Sequence, residues 1–190
     1  LLMDKIKIAQ TREELYLSIP KGGVGAELGV CKGSNAAILF QYTKPTKMYL
    51  VDIWTELCPD GQEWHPQLIP SYGNHYDMVS DIFSEEISSG RAEMIKKYST
   101  DFLCELQNNS LDWVYLDSNH DYEVVSTEIE LSLLKVKSGG YIMGHDYCNF
   151  MENTWGTSVV RAVNERVQNG DIFMEAISED TWPSYLCRVL

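Results

Sequence analysis

Residues 111–147, LDWVYLDSNHDYEVVSTEIELSLLKVKSGGYIMGHDY, decide how this chain folds. Leu111 to Leu116 is a short apolar and aromatic run of strand length, ending at Asp117 in the turn-forming string Asp117-Ser118-Asn119. A helix is expected next: Asp121 suits an N-cap, Glu123 stands in the first turn, and Val125, Ile129, Leu133 and Val136 recur at helical spacing. Lys135 and Lys137 precede a stop signal at Ser138-Gly139-Gly140, and a second strand runs from Tyr141 to Gly144. Strand, helix and strand in succession make a βαβ unit, whose strands are parallel and joined by a right-handed crossover. Asp117 and Asp146 then share one rim. If the strands are neighbours, about 4.8 Å apart, the two carboxylates meet at the carboxyl edge, where open α/β sheets bind their ligands. A cation is expected between them.

The same alternation extends outward. Val24 to Leu28 reads as a strand running into Gly29, Gly33 and Ser34, and a helix follows over Asn35 to Tyr42. A strand, a glycine turn and a helix N-terminus form the usual seat of a nucleotide-like ligand. The turn Gly29-Val30-Cys31-Lys32-Gly33 is not GxGxxG, and no GK[ST] follows, so it suits a ligand without a pyrophosphate. Lys47 to Val51 is the next strand and ends at Asp52, followed by Ile53. Asp52 is placed either to accept from ribose hydroxyls or to serve as a strand-end turn residue. Glu27, a charge inside an apolar strand, calls for a hydrogen-bond partner in a loop or a ligand.

Residues 54–74 are rich in Pro, Gly, Trp and His and read as a lid or substrate loop. A helix over Tyr76 to Ile87, a strand over Ala92 to Lys96 and a helix over Asp101 to Leu106 capped by Ser99 or Thr100 come next. Tyr98 is a candidate to lie against a flat base. Trp155 to Gln168 reads as a helix, and strands over Ile172 to Ile177 and Tyr185 to Leu190 close the sheet. A short helix over Thr11 to Ser18 precedes all of this. The expected fold is α/β, Rossmann-like and doubly wound. Its sheet is expected to be mostly parallel, with one late antiparallel strand.

A chain of 190 residues with 44% hydrophobic content suits one domain over 1–190. Fifteen basic against 28 acidic residues give a net charge of −13, which argues against nucleic acid and anionic membranes and for a neutral or cationic small-molecule ligand. Five scattered cysteines without a CxxC pair read as reduced thiols. No apolar run is long enough to span a bilayer, and LLMDKIKIAQ lacks the apolar core of a signal peptide, so a cytoplasmic location is expected. A homodimer contact through the N-terminal segment or the 54–74 loop stays open.

These motifs together resemble the class I S-adenosylmethionine-dependent methyltransferases. AELGVCKGSNAAIL is similar to their glycine-bearing first motif, MYLVDIW to the second with its ribose-binding acid, and KKYSTDFL to the segment beside the adenine. YLDSNHDYE and GGYIMGHDY resemble the branch of macrolide-sugar O-methyltransferases and, more distantly, catechol O-methyltransferase. The resemblance covers residues 21–168 and implies a seven-stranded sheet of order 3-2-1-4-5-7-6, counted from Val24, with one antiparallel strand and helices on both faces. It implies that Glu27, Gly29, Gly33, Asp52 and Ser99 line the cofactor site, with Ser34, Ile53, Tyr98 and Asp117 beside them. It also implies a divalent cation held by Asp117, His145 and Asp146. Here the chain departs from the pattern: His145 stands where the sugar enzymes carry an acid, and Asn119 replaces a carboxylate. Such a set suits manganese or iron as well as magnesium.

The activity this implies is methyl transfer from S-adenosylmethionine to the hydroxyl of a small molecule such as a sugar, phenol or polyketide. The cation would favour the alkoxide, and His120 or His145 would take the proton. Two rivals remain at this level: a catalytically silent cofactor-binding or assembly subunit, and a nicotinamide-dependent oxidoreductase using the same strand, turn and Asp52.

Overall fold

The computed structural model describes residues 6–54, 75–149 and 155–190. The expected lid therefore lies outside the described residues except for Trp54. The elements are β1 (Lys7–Ala9), α1 (Arg12–Tyr16), β2 (Val24–Leu28), α2 (Ser34–Thr43), β3 (Lys47–Asp52), α3 (His75–Ile82), α4 (Ser84–Ser88), β4 (Ala92–Lys96), α5 (Ser99–Glu105), β5 (Leu111–Leu116), α6 (Tyr122–Lys135), β6 (Val136–Gly144), α7 (Trp155–Asn169), β7 (Ile172–Ser178) and β8 (Tyr185–Val189).

They build an eight-stranded sheet of order β1-β7-β8-β6-β5-β2-β3-β4. Every pairing is parallel except those of β8, which is antiparallel to both β6 and β7. Counted from Val24, this is the order 3-2-1-4-5-7-6 that the resemblance implied. The eighth strand is the difference. β1 adds to the edge of β7 in parallel, Lys7 opposite Ala176 and Ala9 opposite Ser178. Three residues with one buried side chain, Ala9, carry no readable period.

A second difference lies in β6, which begins at Val136 rather than Tyr141. Leu111 pairs with Val136 and Trp113 with Tyr141, the register shifting between them. Ser138-Gly139-Gly140 is thus an irregularity inside a strand, not a turn before it. The same glycines signal both, which is why the sequence pattern did not separate them.

Alternation along the buried strands fills both faces. Ala26, Leu28, Val114, Leu116 and Ile142 pack with Val125, Ile129, Val159 and Val163 of α6 and α7. Met48, Leu50, Trp113, Tyr115 and Met143 face the other way, against Leu15, Tyr16, Ala36 and Leu39 of α1 and α2. Trp113 and Tyr115 are fully buried, each contributing about 2–3 kcal/mol by its removal from water. Room for the indole comes from Gly25 opposite it, where a Cβ would sit 2.1 Å from the ring. Among the described residues, no helix is long and apolar enough to cross a membrane.

Gly29, just past β2, has φ +93°, and a Cβ there would lie 2.0 Å from the carbonyl oxygen of Asp117. Backbone cannot yield as a flexible side chain can. Gly29→Ala is expected to cost about 3 kcal/mol or more in urea denaturation; a loss under about 1 kcal/mol would show that the two chain segments can separate at little cost.

Candidate active site

The parallel ladder runs one residue beyond the strand ends. Gly29 N donates to Val51 O at 2.8 Å, Asp117 N to Leu28 O at 2.8 Å, and His145 N to Leu116 O at 3.2 Å. Gly29, Asp117 and His145 are therefore fixed in a row along the carboxyl edge. Asp146 follows with φ +55°, a left-handed conformation that aspartate tolerates better than most residues.

The two carboxylates meet through imidazoles. His120 Nε2 lies 2.5 Å from Asp146 Oδ2 and 3.6 Å from Asp117 Oδ1. His145 Nδ1 lies 3.2 Å from Asp146 Oδ1 and 3.6 Å from the same Asp117 oxygen. Asp117, His120 and Asp146 each offer a ligand atom, and these atoms lie within 4.8 Å of one another. The close triad thus contains His120, while the other ring nitrogen of His145 is engaged elsewhere: Arg12 Nη2 is 2.7 Å from Nε2.

Burial disfavours the charged form of His120, but hydrogen bonds to Asp117 and Asp146 outweigh it and push its pKa up to about 9. His120 therefore holds a proton at pH 7, as the counter-ion of the two acids. Burial acts against Asp146 ionising as well, yet the two histidines hold it below the usual carboxylate range. For His145, burial again lowers and the carboxylates raise, which by themselves would carry it up to about 9. The Arg12 contact acts in the opposite direction: a guanidinium can only donate, and a proton on Nε2 would set two donors head to head at 2.7 Å.

Asn119, standing where the resemblance has a carboxylate, turns away from this cluster. Its Oδ1 accepts from Asp121 N at 2.7 Å, an Asx turn that leads the loop into α6.

Toward β3 the edge stays acidic. Glu27 is buried; its Oε1 accepts from Asn35 Nδ2 at 2.8 Å, and Asn35 Oδ1 in turn accepts from the Tyr16 hydroxyl at 2.7 Å. Among the described residues, Glu27 Oε2 has no hydrogen-bond partner. Burial raises the Glu27 pKa, Asn35 counters, and the negative charges of Asp117 and Asp52 add to the rise. Asp52 accepts from Cys31 N and Trp54 N, 2.8 Å each, so both its oxygens already hold the glycine turn and the start of the next loop. Each oxygen keeps a further lone pair for a ligand hydroxyl. Gly33 caps α2 at φ +80°, and Ser34 is the exposed first residue of that helix. Ile53 is half-buried between Asp52 and Trp54. Tyr98, at the N-cap of α5, is 50% exposed and covers nothing in this structure.

Ser99 connects to the cluster by a route the sequence did not disclose. Its hydroxyl is 3.3 Å from Ser118 Oγ, and Ser118 hydrogen-bonds to Glu128 Oε1. Glu128 is buried on the inner face of α6, and burial pushes its pKa up to about 7 against the pull of Ser118, Ser99 and His120. An acid at the apolar position beside Ile129 was the available signal. For Asn35 the signal was its place two residues after Gly33. Arg12 gave none.

Residues 26–147 match the model of a family described as a methyltransferase domain. The uncharacterized protein R132 of Acanthamoeba polyphaga mimivirus is 26% identical over 145 residues, covering 74% of this chain and 58% of that protein. The chain thus spans less than two thirds of that relative. Among solved structures, an rRNA methylase from Streptococcus thermophilus superposes with a TM-score of 0.60 at 12% identity, covering 94% of this chain and 93% of the other. The SAH-bound methyltransferase PaMTH1 of Podospora anserina gives 0.59 at 13% identity, covering 88% and 71%. At these identities the likeness is one of fold. The rRNA methylase nevertheless overturns the expectation of a small-molecule partner to the exclusion of nucleic acid. The physical reason is that a net charge of −13 sums over the whole chain and does not describe the surface beside one site.

Glu128 supplies a pH test. Its folded pKa of about 7 lies above the ordinary glutamate value of 4.5, so its contribution is greatest below pH 4.5 and is lost as pH rises through 7. The loss amounts to about 3 kcal/mol. Glu128→Gln keeps an acceptor for Ser118 without titrating. Between pH 5 and pH 8, urea denaturation should show the wild type losing about 2–3 kcal/mol more than the variant; parallel pH profiles would remove Glu128 as the cause.

Proposed function

The chain belongs to the methyltransferase-domain family, and from that premise we propose that it transfers a methyl group from S-adenosylmethionine to a hydroxyl, assisted by a divalent cation. The observation that carries this reading is the acidic carboxyl edge, where the orphaned, buried Glu27 Oε2 stands with Asp52 and Asp117 beside the glycine turn. S-adenosylmethionine carries a sulfonium and an ammonium and supplies the electrophilic methyl. A ligand of that charge fits this donor set, whereas a dinucleotide with its pyrophosphate does not.

In this reading Glu27, Gly29, Gly33, Ser34, Asp52, Ile53, Tyr98, Ser99 and Asp117 line the cofactor site. Asp52 has free lone pairs for ribose hydroxyls. Asp117, His120 and Asp146 would hold magnesium, manganese or iron(II), donors of the kind those ions accept. A cation there would stabilise the alkoxide of the acceptor as a Lewis acid. His120 must give up the proton on Nε2 before it can act as ligand or base. Proton and cation therefore compete for one place, and the carboxylates on both sides favour whichever is present. His145 is turned to the same carboxylates through Nδ1. The chain's part in the chemistry is alignment of donor and acceptor on a fixed edge.

Calorimetric titration separates this reading from hydride transfer: S-adenosylhomocysteine is expected to bind and NADH is not, and the reverse would overturn it. With a radiolabelled methyl donor and hydroxyl-bearing acceptors that include ribosomal RNA, Asp117→Ala and Asp146→Ala should each abolish transfer, Asp146→Ala leaving S-adenosylhomocysteine affinity within a few fold and Asp117→Ala weakening it as well. Activity retained in both variants would rule out a cation held at this triad.

A further inference from the structure

Arg12 lies outside the residues matched by the family model, yet it reaches the edge on which that family's motifs converge. Its position is built by contacts between the first described residues and the β7–β8 turn. Glu179 N donates to Ala9 O at 2.8 Å, Gln10 Nε2 donates to Glu179 Oε2 at 2.9 Å, and Arg12 Nε is 3.9 Å from Asp180 Oδ2. Leu15 and Tyr16 anchor α1 in the core beneath. The guanidinium so held directs Nη2 at His145 Nε2, 2.7 Å away.

We infer that Arg12 is a positioning residue that fixes the ring of His145, occupying Nε2 so that Nδ1–H faces Asp146 and Asp117. A guanidinium offers N–H groups and no lone pair, so the contact requires His145 to accept at Nε2. The single ring proton then stands on Nδ1, 3.2 Å from Asp146 Oδ1 and 3.6 Å from Asp117 Oδ1. Both nitrogens of His145 are committed. It neither ligates a cation nor receives the acceptor's proton, and it orients the carboxylates in the way that a hydrogen-bonded neighbour orients a metal ligand. His120 is left as the imidazole of the site that can exchange what it binds. The role of Arg12 in methyl transfer rests on the function proposed above; the state of the His145 ring does not.

The test reads the ring in the resting protein. Long-range proton–nitrogen correlation spectra of histidine-labelled protein, assigned by the signal lost in His145→Gln, should show a protonated Nδ1 and an unprotonated, hydrogen-bonded Nε2. In Arg12→Ala the Nε2 shift should move away from that of an acceptor and the proton redistribute between the two nitrogens. Arg12→Lys, which keeps a donor, should restore the wild-type pattern in part. Thermal melts identify a variant that has lost its fold, and the Lys variant then decides. A protonated Nε2 in the wild type, or an unchanged His145 spectrum in Arg12→Ala, overturns the inference. Binding of S-adenosylhomocysteine to the same samples is scored separately: its absence in the wild type counts against methyl transfer and leaves the ring assignment standing.

Discussion

The hydrogen bonds that carry the parallel ladder one residue beyond β2, β5 and β6 are what the site depends on. Gly29, Asp117 and His145 each donate to the last strand residue, or the one before it, of the neighbouring strand. Residues remote in sequence are thereby held at the spacing between strands, about 4.8 Å, without any side chain having to bring them together. Slipping is blocked from within. A shift of one residue in β5 would send Trp113 and Tyr115 to the face now filled by Val114 and Leu116, and both faces are packed. The large core therefore fixes the register, and the register fixes the acids.

What gathers at that edge is costly on its own terms. Glu27 is buried with Asp117 and Asp52 near enough to push its pKa up further, Asp146 is buried between two histidines, and unpaired buried charge is destabilising. The chain answers each acid differently. Asn35, itself held by the Tyr16 hydroxyl, donates to one oxygen of Glu27, backbone amides hold both oxygens of Asp52, and two imidazoles hold Asp146. Glu128, one layer below, meets serines rather than a cation. One oxygen of Glu27 is still without an internal partner among the described residues. An edge built in this way is arranged in advance for positive charge, and its own His120 supplies some of it.

The sheet was legible because its signals are periodic and long. The strands from Val24 to Leu116 follow from apolar runs punctuated by glycine and polar turns, their order came with the family resemblance, and the meeting of Asp117 with Asp146 follows from parallel neighbours. Three kinds of feature were not legible. β1 is too short for a period to exist. Ser138-Gly139-Gly140 has the composition of a turn and the position of a strand irregularity, and only the register with Leu111 and Trp113 distinguishes them. Contacts closed by side chains from different segments, such as Arg12 with His145 and Ser118 with Glu128, do not name their partner in the local sequence: Glu128 stands out as an acid on an apolar face, but nothing near it points to Ser118, and Arg12 does not stand out at all. The exclusion of nucleic acid failed for a related reason: a sum over 190 residues has no address on the surface.

The identity of residue 145 illustrates how the segments outside the family match shape its motif. A carboxylate at this position, as in the sugar enzymes that the sequence resembles, would pair with Arg12 and turn a negative group toward Asp146. Histidine accepts from Arg12 through one ring nitrogen and donates toward the carboxylates through the other. The edge keeps two acids instead of three, and the guanidinium reaches them through a neutral ring rather than by direct ion pairing. Arg12 and His145 are therefore best understood as one unit: changing the ring to an acid without changing the guanidinium would replace an oriented N–H by a second ion pair, and the balance of charge around His120 would be altered before any ligand arrived.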